Sequence, residues 1–418
     1  VRPIEFGFEQ KVAPRLGFAY DPTGAGKMKF GASWGLYYDI MKYEMPRGSF
    51  GGDKWLDFVF ELDNPNIFNI RPQGNGFAGC QCPGRAIEVV NWRVPSHDPK
   101  ENLIEPNLKP VRLQAWNTTW DWNITADYVF GIRYVHRQLD RTIEDVGSLT
   151  SLGETYFIAN PGFGVTIDPK TFPTPPYPPK VTPKAVRDYD AVEFSLERRF
   201  ARRFGFQTSY TWSRLYGNYA GLANSDEDGR RSPNVNRVFD LPWMAYDQRA
   251  QVVFGRLATD RPHAFKFFGS YDLRSKIGTS RFSPIFEAFS GTPVSTEVSV
   301  DHVPVFVFGR GDLGRTAVFT TTDFMVGHEI PVGGEGRAIR LQLEIFNLFN
   351  HAMETSRNTG LDHGNDGGIE VENIANLFRG YDSRALMAAQ RLRVSPFYNW
   401  ANRFQGPRTM RFGFHFVF

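Results

Sequence analysis

The sequence predicts an all-β protein, a transmembrane antiparallel β-barrel with long loops at one end. Three observations predict it. Large apolar residues and small or polar residues alternate with period two in segment after segment, the pattern of a strand with two unlike faces. Aromatic residues make up 15% of the 418-residue chain and glycine occurs 40 times, yet mean hydropathy is only −0.37. Aromatic, glycine-rich and polar on average is what alternating strands give when one face meets lipid and the other water. No apolar run approaches the roughly 18 residues of a spanning helix, so a helical membrane protein is excluded.

The elements follow in order. A first segment near 13–21 leads into 28–38, where Phe30, Ala32, Trp34, Leu36 and Tyr38 alternate with Lys29, Gly31, Ser33, Gly35 and Tyr37. Segment 111–123 carries Trp116, Thr118, Trp120 and Trp122 on one face, and 127–139 carries Tyr128, Phe130, Ile132 and Tyr134. Next come 189–200, with Val192, Phe194 and Leu196, and 204–214, with Phe204, Phe206, Thr208, Tyr210 and Trp212. Segments 248–257, 264–273, 279–290, 294–308, 317–330 and 338–348 continue the series, and 407–418 closes it, about thirteen strands in all. Most are longer than the usual five or six residues of a soluble strand and suit a tilted membrane crossing of about 10. A soluble sandwich would place aliphatic residues on its inner face, where two sheets interdigitate, and not aromatic ones.

Connections alternate in length. Short turns are expected at Asp21–Lys27, Ile124–Ala126, Ala201–Arg203, Ala258–His263, Gly291–Pro293 and Pro331–Arg337. Long connections are expected at 39–110, 140–188, 215–247 and 349–406, all at the opposite end, together with the short links 274–278 and 309–316. Short turns at one end and long loops at the other are the habit of outer-membrane barrels. The Pro-rich stretch Pro169–Pro183 lies in one long loop, where extended polyproline backbone is tolerated. One architecture fills the chain, without a domain boundary. Val1 follows no visible signal peptide, so the natural N-terminus is expected upstream.

Composition excludes other classes. Lys and Arg number 48 against 45 Asp and Glu, a net charge of +3, which lacks the concentrated basic face of a nucleic-acid binder. Two cysteines rule out a disulfide scaffold and a multi-cysteine zinc site. The eight histidines stand singly, with no His-Glu-x-x-His and no Gly-x-Ser-x-Gly elbow, so no catalytic constellation is found and no enzyme is expected. Gly24-Ala25-Gly26-Lys27 is a turn, since a phosphate loop needs glycine where Asp21 stands.

Several local features carry binding or assembly readings. The terminal segment places Met410, Phe412, Phe414, Phe416 and Phe418 on one face; an aromatic last strand is what the barrel-assembly machinery reads, so Phe412, Phe414, Phe416 and Phe418 are the assembly-signal candidates. Asp226 and Asp228, in Asp226-Glu227-Asp228-Gly229, are candidate calcium ligands, against the alternative of a solvated acidic loop. Cys80 and Cys82 are a Cys-x-Cys pair in an outer loop, read as a structural staple or a metal handle; two sulfurs cannot complete a zinc shell. Trp55 and Trp243 are loop aromatics able to stack on sugars or to pack the loops. Arg198, Arg199, Arg202 and Arg203 flank a tight turn and read as solvated cations at the headgroup level.

Certain stretches resemble the C-terminal barrel portion of TonB-dependent outer-membrane receptors, in their Oar-like branch. They are Ala13–Pro22, Gly217–Glu227, Ser232–Arg237, Thr259–Lys266, Ser290–Pro293, Phe346–Asn350 and the terminal strand. The resemblance implies a plug domain and a TonB-contacting box upstream, inside a 22-stranded barrel of which this chain holds the C-terminal part. It also implies energised uptake of a scarce solute across the outer membrane: a siderophore, a cofactor, an oligosaccharide or a peptide. The implied partners are the lipid bilayer, the TonB complex and the barrel-assembly machinery. The alternatives are a surface barrel for adhesion or protein export, and a passive porin.

Overall fold

Eleven of the period-two segments lie side by side in one antiparallel sheet in the computed structural model. It describes residues 6–38, 56–60, 86–91, 107–150, 153–162, 182–220, 237–239, 241–333, 336–364 and 367–418. The strands are β1 (Arg15–Tyr20), β2 (Met28–Tyr38), β3 (Arg112–Asn123), β4 (Tyr128–Arg141), β5 (Arg187–Ala201) and β6 (Phe204–Gly217). They continue with β7 (His263–Ser275), β8 (Gly278–Phe289), β9 (Phe319–Pro331), β10 (Ala338–Phe346) and β11 (Thr409–Val417). Each pairs with its sequence neighbour, a simple meander.

Register makes the two faces continuous. Directly opposed residues share a face, so the ladder Phe30–Trp120–Ile132–Phe194–Tyr210–Phe265 runs an apolar row across six strands. A second row, Phe204–Tyr271–Phe282–Val326–Leu343–Phe412, carries it to the last strand. The opposite face holds Lys29–Asp121–Gly131–Ser195–Ser209–Lys266–Glu287–Thr321. On that face Arg281 donates twice to Asp272, at 2.7 and 2.8 Å, and Arg340 donates to Glu329 at 2.7 Å. On the apolar face of β11, Phe412 is 77% and Phe414 67% exposed, which only lipid or a partner makes tolerable.

Two expected strands are not wall strands. In 248–257 only Gly255–Arg256 joins the wall, as a two-residue rim piece against Tyr216 and Gly217, while Val252 bridges Tyr246 within the loop. Ala250 has φ 58°, and the Asp247 carboxylate accepts from the amides of Arg249 and Gln251 at 2.9 Å, so the backbone turns where alternation suggested extension. Segment 294–308 folds on itself as the hairpin Val298–Val300/Val303–Val305, turning at Asp301 (φ 49°) and His302 (φ 67°). Its alternating valines are buried against other loops, and no lipid-facing row forms.

The two corrections cancel in the alternation and make it stricter. Short turns now fall at 21–27, 124–127, 202–203, 276–277 and 332–337, and long connections at 39–111, 142–186, 218–262, 290–318 and 347–408. Ala258–His263 and Gly291–Pro293 therefore belong to the long-loop end, and 274–278 to the short-turn end.

One arginine of the tight turn is not solvated. Arg198 is 6% exposed; its guanidinium donates to the carbonyls of Ala201 (2.9 Å) and Phe204 and lies 3.4 Å from the Phe204 ring centroid. Its charge is spent beneath the turn, while Arg199, Arg202 and Arg203 are exposed as expected.

Candidate functional site: the outer loops and their feet

The wall contributes almost nothing to the protein's buried core. That core lies in the long loops, where a cluster joins Phe239 and Trp243 (loop 218–262), Val298 and Val307 (290–318), and Ile369 and Phe378 (347–408). Leu139, Val146 and Ala159 join it from the top of β4 and from loop 142–186. The loops must supply this burial for themselves, because a wall with lipid on one side has no second layer to pack against. Trp243 is 2% exposed and its indole donates to the Val300 carbonyl at 3.3 Å, so it packs loop on loop and offers no face to a sugar.

Backbone pairing reinforces the packing. The hairpin of loop 290–318 meets loop 347–408 through parallel bridges Glu297–Gly360 and Val300–Ile369, with the Ile369 amide donating to Ser299 at 2.7 Å. Gln248 accepts from the amide and hydroxyl of Ser383 at 3.1 and 2.7 Å, and its carbonyl accepts from the Tyr381 amide at 2.8 Å. Thr296 donates its amide to Asp312 at 2.7 Å and shares a 2.6 Å hydroxyl contact with Tyr398.

Four of the stretches behind the family resemblance hold loop feet, while Ala13–Pro22 and the terminal strand lie in the wall. In Thr259–Lys266 the Asp260 side chain is fully buried; it accepts from the Leu215 amide at 2.6 Å and pairs with Arg315. Arg261 donates to the Ser290 carbonyl at 2.9 Å, and burial lowers its pKa. Gly217 has φ 152°, and a Cβ there would stand 1.9 Å from the Val186 carbonyl oxygen, so only glycine fits. Next to it Asn218, with no exposed surface, donates to Lys184 and accepts from Val186, tying loop 142–186 to loop 218–262. In Ser290–Pro293 the Thr292 amide donates to the Thr316 hydroxyl at 3.0 Å, closing loop 290–318 at its base. In Phe346–Asn350, Asn347 (φ 52°) donates to the carbonyls of His351 and Gly406 at 2.8 and 2.9 Å.

Electrostatics follow burial. Tyr219 has its phenol pKa pushed well above the ordinary value by desolvation, helped by the Glu144 carboxylate. Desolvation also raises Tyr246 and Tyr381. Glu354 is held below the usual carboxylate range chiefly by the Arg357 guanidinium, with the Ala317 amide adding to it at 3.0 Å. Among the described residues no three His, Cys, Asp or Glu side chains are grouped to hold a metal ion. The arrangement is built for shape and rigidity.

Of the site residues read from sequence, Phe412, Phe414 and Phe416 lie together on the apolar face of β11, and Phe418 is the exposed chain end. Asp226, Asp228, Cys80, Cys82 and Trp55 lie outside the described residues, as does most of Pro169–Pro183. The foot residues Asp260, Arg315 and Asn347 had no functional assignment from sequence. Asp260 and Asn347 lie in the resemblance stretches and Arg315 does not, and spacing alone does not distinguish a staple from a ligand site.

Comparison with known proteins agrees with this architecture. The family model described as outer membrane beta barrel domain matches residues 7–304. The TonB-dependent transporter Oar of Myxococcus xanthus is 28% identical over 358 residues, covering 81% of this chain and 31% of that protein. The chain thus spans about a third of that relative's length. Among solved structures, the outer membrane transporter YddB of Escherichia coli aligns with TM-score 0.46 at 9% identity, over 83% of this chain and 38% of that one. BauA, the ferric preacinetobactin receptor of Acinetobacter baumannii, aligns at 0.43 and 9%, over 97% and 36%.

Proposed function

This chain belongs to the outer-membrane β-barrel family, and on that premise we propose that it is the C-terminal barrel part of a TonB-dependent receptor importing a scarce solute. Its place is the Gram-negative outer membrane. The observation that carries the proposal is the joining of four long loops, 142–186, 218–262, 290–318 and 347–408, into one packed body at one end of the wall. A passive porin works through an open mouth; loops pinned to one another and at their feet give instead a preorganised capture surface. The name and breadth of match of the Myxococcus relative support the same reading. In it the whole protein supplies a plug and a TonB-contacting segment outside these 418 residues. The polar wall face, with Asp272–Arg281 and Glu329–Arg340, faces that plug.

The solute class is a siderophore, a cofactor, an oligosaccharide or a peptide, and the protein does no covalent chemistry on it. Phe412, Phe414, Phe416 and Phe418 serve insertion through the barrel-assembly machinery. The test is accumulation of labelled ferric siderophores, cobalamin and maltooligosaccharides by cells producing the whole protein, with and without an uncoupler of the inner-membrane proton gradient. Accumulation of one solute only in energised cells is expected. Equal accumulation of small solutes in both conditions would establish the porin alternative. No accumulation of any, with loss of surface attachment on deleting the gene, would establish adhesion.

A further inference from the structure

The turn between β5 and β6 breaks a local rule. A two-residue hairpin with both central residues at positive φ wants Asn-Gly or Gly-Gly, because other side chains are strained there. Here the two residues are Arg202 (φ 49°) and Arg203 (φ 80°), both exposed. A less favourable residue at each of two strained positions points to a use for the charges themselves.

The surroundings show the use. β6 pairs with β7, and the Asp272 amide donates to the Arg203 carbonyl at 2.7 Å, so the next turn of the wall lies alongside. That turn carries exposed Arg274 and Lys276. The two turns present exposed Arg202, Arg203 and Lys276 and contain no carboxylate, whereas Arg274 shares the polar-face row of Thr279 and Glu329 and Arg199 donates to the Ala126 carbonyl at 3.2 Å. The nearby Asp272 is held by Arg281. Beside the turn cations Ile277 is 70% exposed, while the Phe200 ring lies 5.7 Å from the Arg281 guanidinium on the polar face. Arg198, folded under the turn, braces it from within.

We propose that these adjacent turns form a docking surface for anionic phospholipid headgroups, with Arg202, Arg203 and Lys276 on the phosphates and Ile277 set among the acyl chains. Cations beside exposed apolar groups at the end of membrane-crossing strands suit a phosphate layer directly above hydrocarbon. The other short turns lack this: 124–127 has no Lys or Arg, 21–27 holds Lys27 with Asp21, and 332–337 holds Arg337 with Glu335.

The decisive variant is R202N/R203G, which installs the residues the turn geometry prefers while removing two charges. The whole protein is reconstituted in vesicles of equal phosphatidylglycerol and phosphatidylcholine, extracted, and its retained lipids are counted by native mass spectrometry. Wild type is expected to enrich phosphatidylglycerol, and the variant to lose about tenfold of that preference while migrating as a folded barrel. K27Q should leave the preference unchanged. Adding K276Q should abolish what remains. Equal lipid retention by wild type and the triple variant would overturn the proposal. So would displacement of the lipid by inorganic phosphate alone, since that marks an anion site without lipid docking. Because the readout is bound lipid, it is independent of whether any solute is transported.

Discussion

The carboxylate of Asp260 is sealed from solvent and paired with the guanidinium of Arg315, which also donates to the carbonyls of Asp260 (2.9 Å) and Gly291 (2.8 Å). One side chain thus joins the end of loop 218–262 to both feet of loop 290–318. Removing Asp260 strands Arg315, whereas removing Arg315 leaves Asp260 with Arg256 alone, and a broken buried pair costs about 3–5 kcal/mol. Asp260→Ala is expected near the top of that range, because it also strands the Leu215 amide and Arg256, and Arg315→Met near the bottom, because Arg256 stays within 3.3 Å of the Asp260 carboxylate. Hydrogen exchange should show both variants opening 258–262 and 290–318 while β6 and β7 stay protected. Unchanged exchange in D260A would mean that the pair does not hold the loops.

Asn347 makes a comparable staple from one side chain, joining the start of loop 347–408 to Gly406 at its end. Asn347→Ala loses two donated bonds at about 1 kcal/mol each and puts alanine at a left-handed φ for about 1 more. Asn347→Gly loses the bonds but suits the φ, so it should cost roughly 1 kcal/mol less. Proteolysis rates within 347–408 should therefore rank alanine above glycine above wild type. A reversed ranking of the two variants would show that backbone strain is not part of the cost.

The wall was legible in the sequence because period two reports which residues share a face, and lipid on one side makes that contrast extreme. Trp116, Trp120 and Trp122 against Asn117, Thr119 and Asp121 leave no other reading. Period two does not report what covers a face. Val298, Val300 and Val305 alternate as a wall strand would, yet they are covered by neighbouring loops, and their turn at Asp301-His302 lacks the glycine that marks most such turns. Ala250 at φ 58° hides a break in the same way. The loop feet were legible as resemblance but not as staples, because Asp260 meets Arg315 across 55 residues.

Alkaline pH should loosen the loop body before the wall. Burial raises the phenols of Tyr219, Tyr246 and Tyr381 above the ordinary value of about 10. A raised folded-state pKa contributes stability that is fully present below the unfolded value and lost as pH rises through the folded one. An ultraviolet phenolate titration should thus show a late step above pH ~10, coinciding with faster loop exchange. Tyr219→Phe should weaken that step; a titration identical to wild type would place the late phenols elsewhere.

Acid acts at a different point. Glu354 has a lowered pKa, so its contribution is present above the unfolded value of about 4.3 and lost as pH falls through the folded one. The rim hairpin Glu354–Arg357/Ala401–Phe404 should open in that window, and Glu354→Gln should open it already at neutral pH. Exchange at Ala317, whose amide donates to Glu354, reports it directly.

The assignment of faces can be tested within one pair of strands. Phe194 sits at the middle of β5 on the apolar row, opposite Tyr210; Thr211, one residue further along β6, points to the other face, opposite Glu193. Both sites have similar depth along the wall, so an arginine at either differs only in what it meets. Phe194→Arg places a charge against acyl chains near mid-membrane and should cost about 2–4 kcal/mol. Thr211→Arg places the same charge beside the Glu193 carboxylate and should stay within about 1 kcal/mol of wild type. Denaturant titrations of the whole protein folded into vesicles give both numbers. Equal costs would mean that the two faces meet the same medium, which the membrane-barrel assignment forbids.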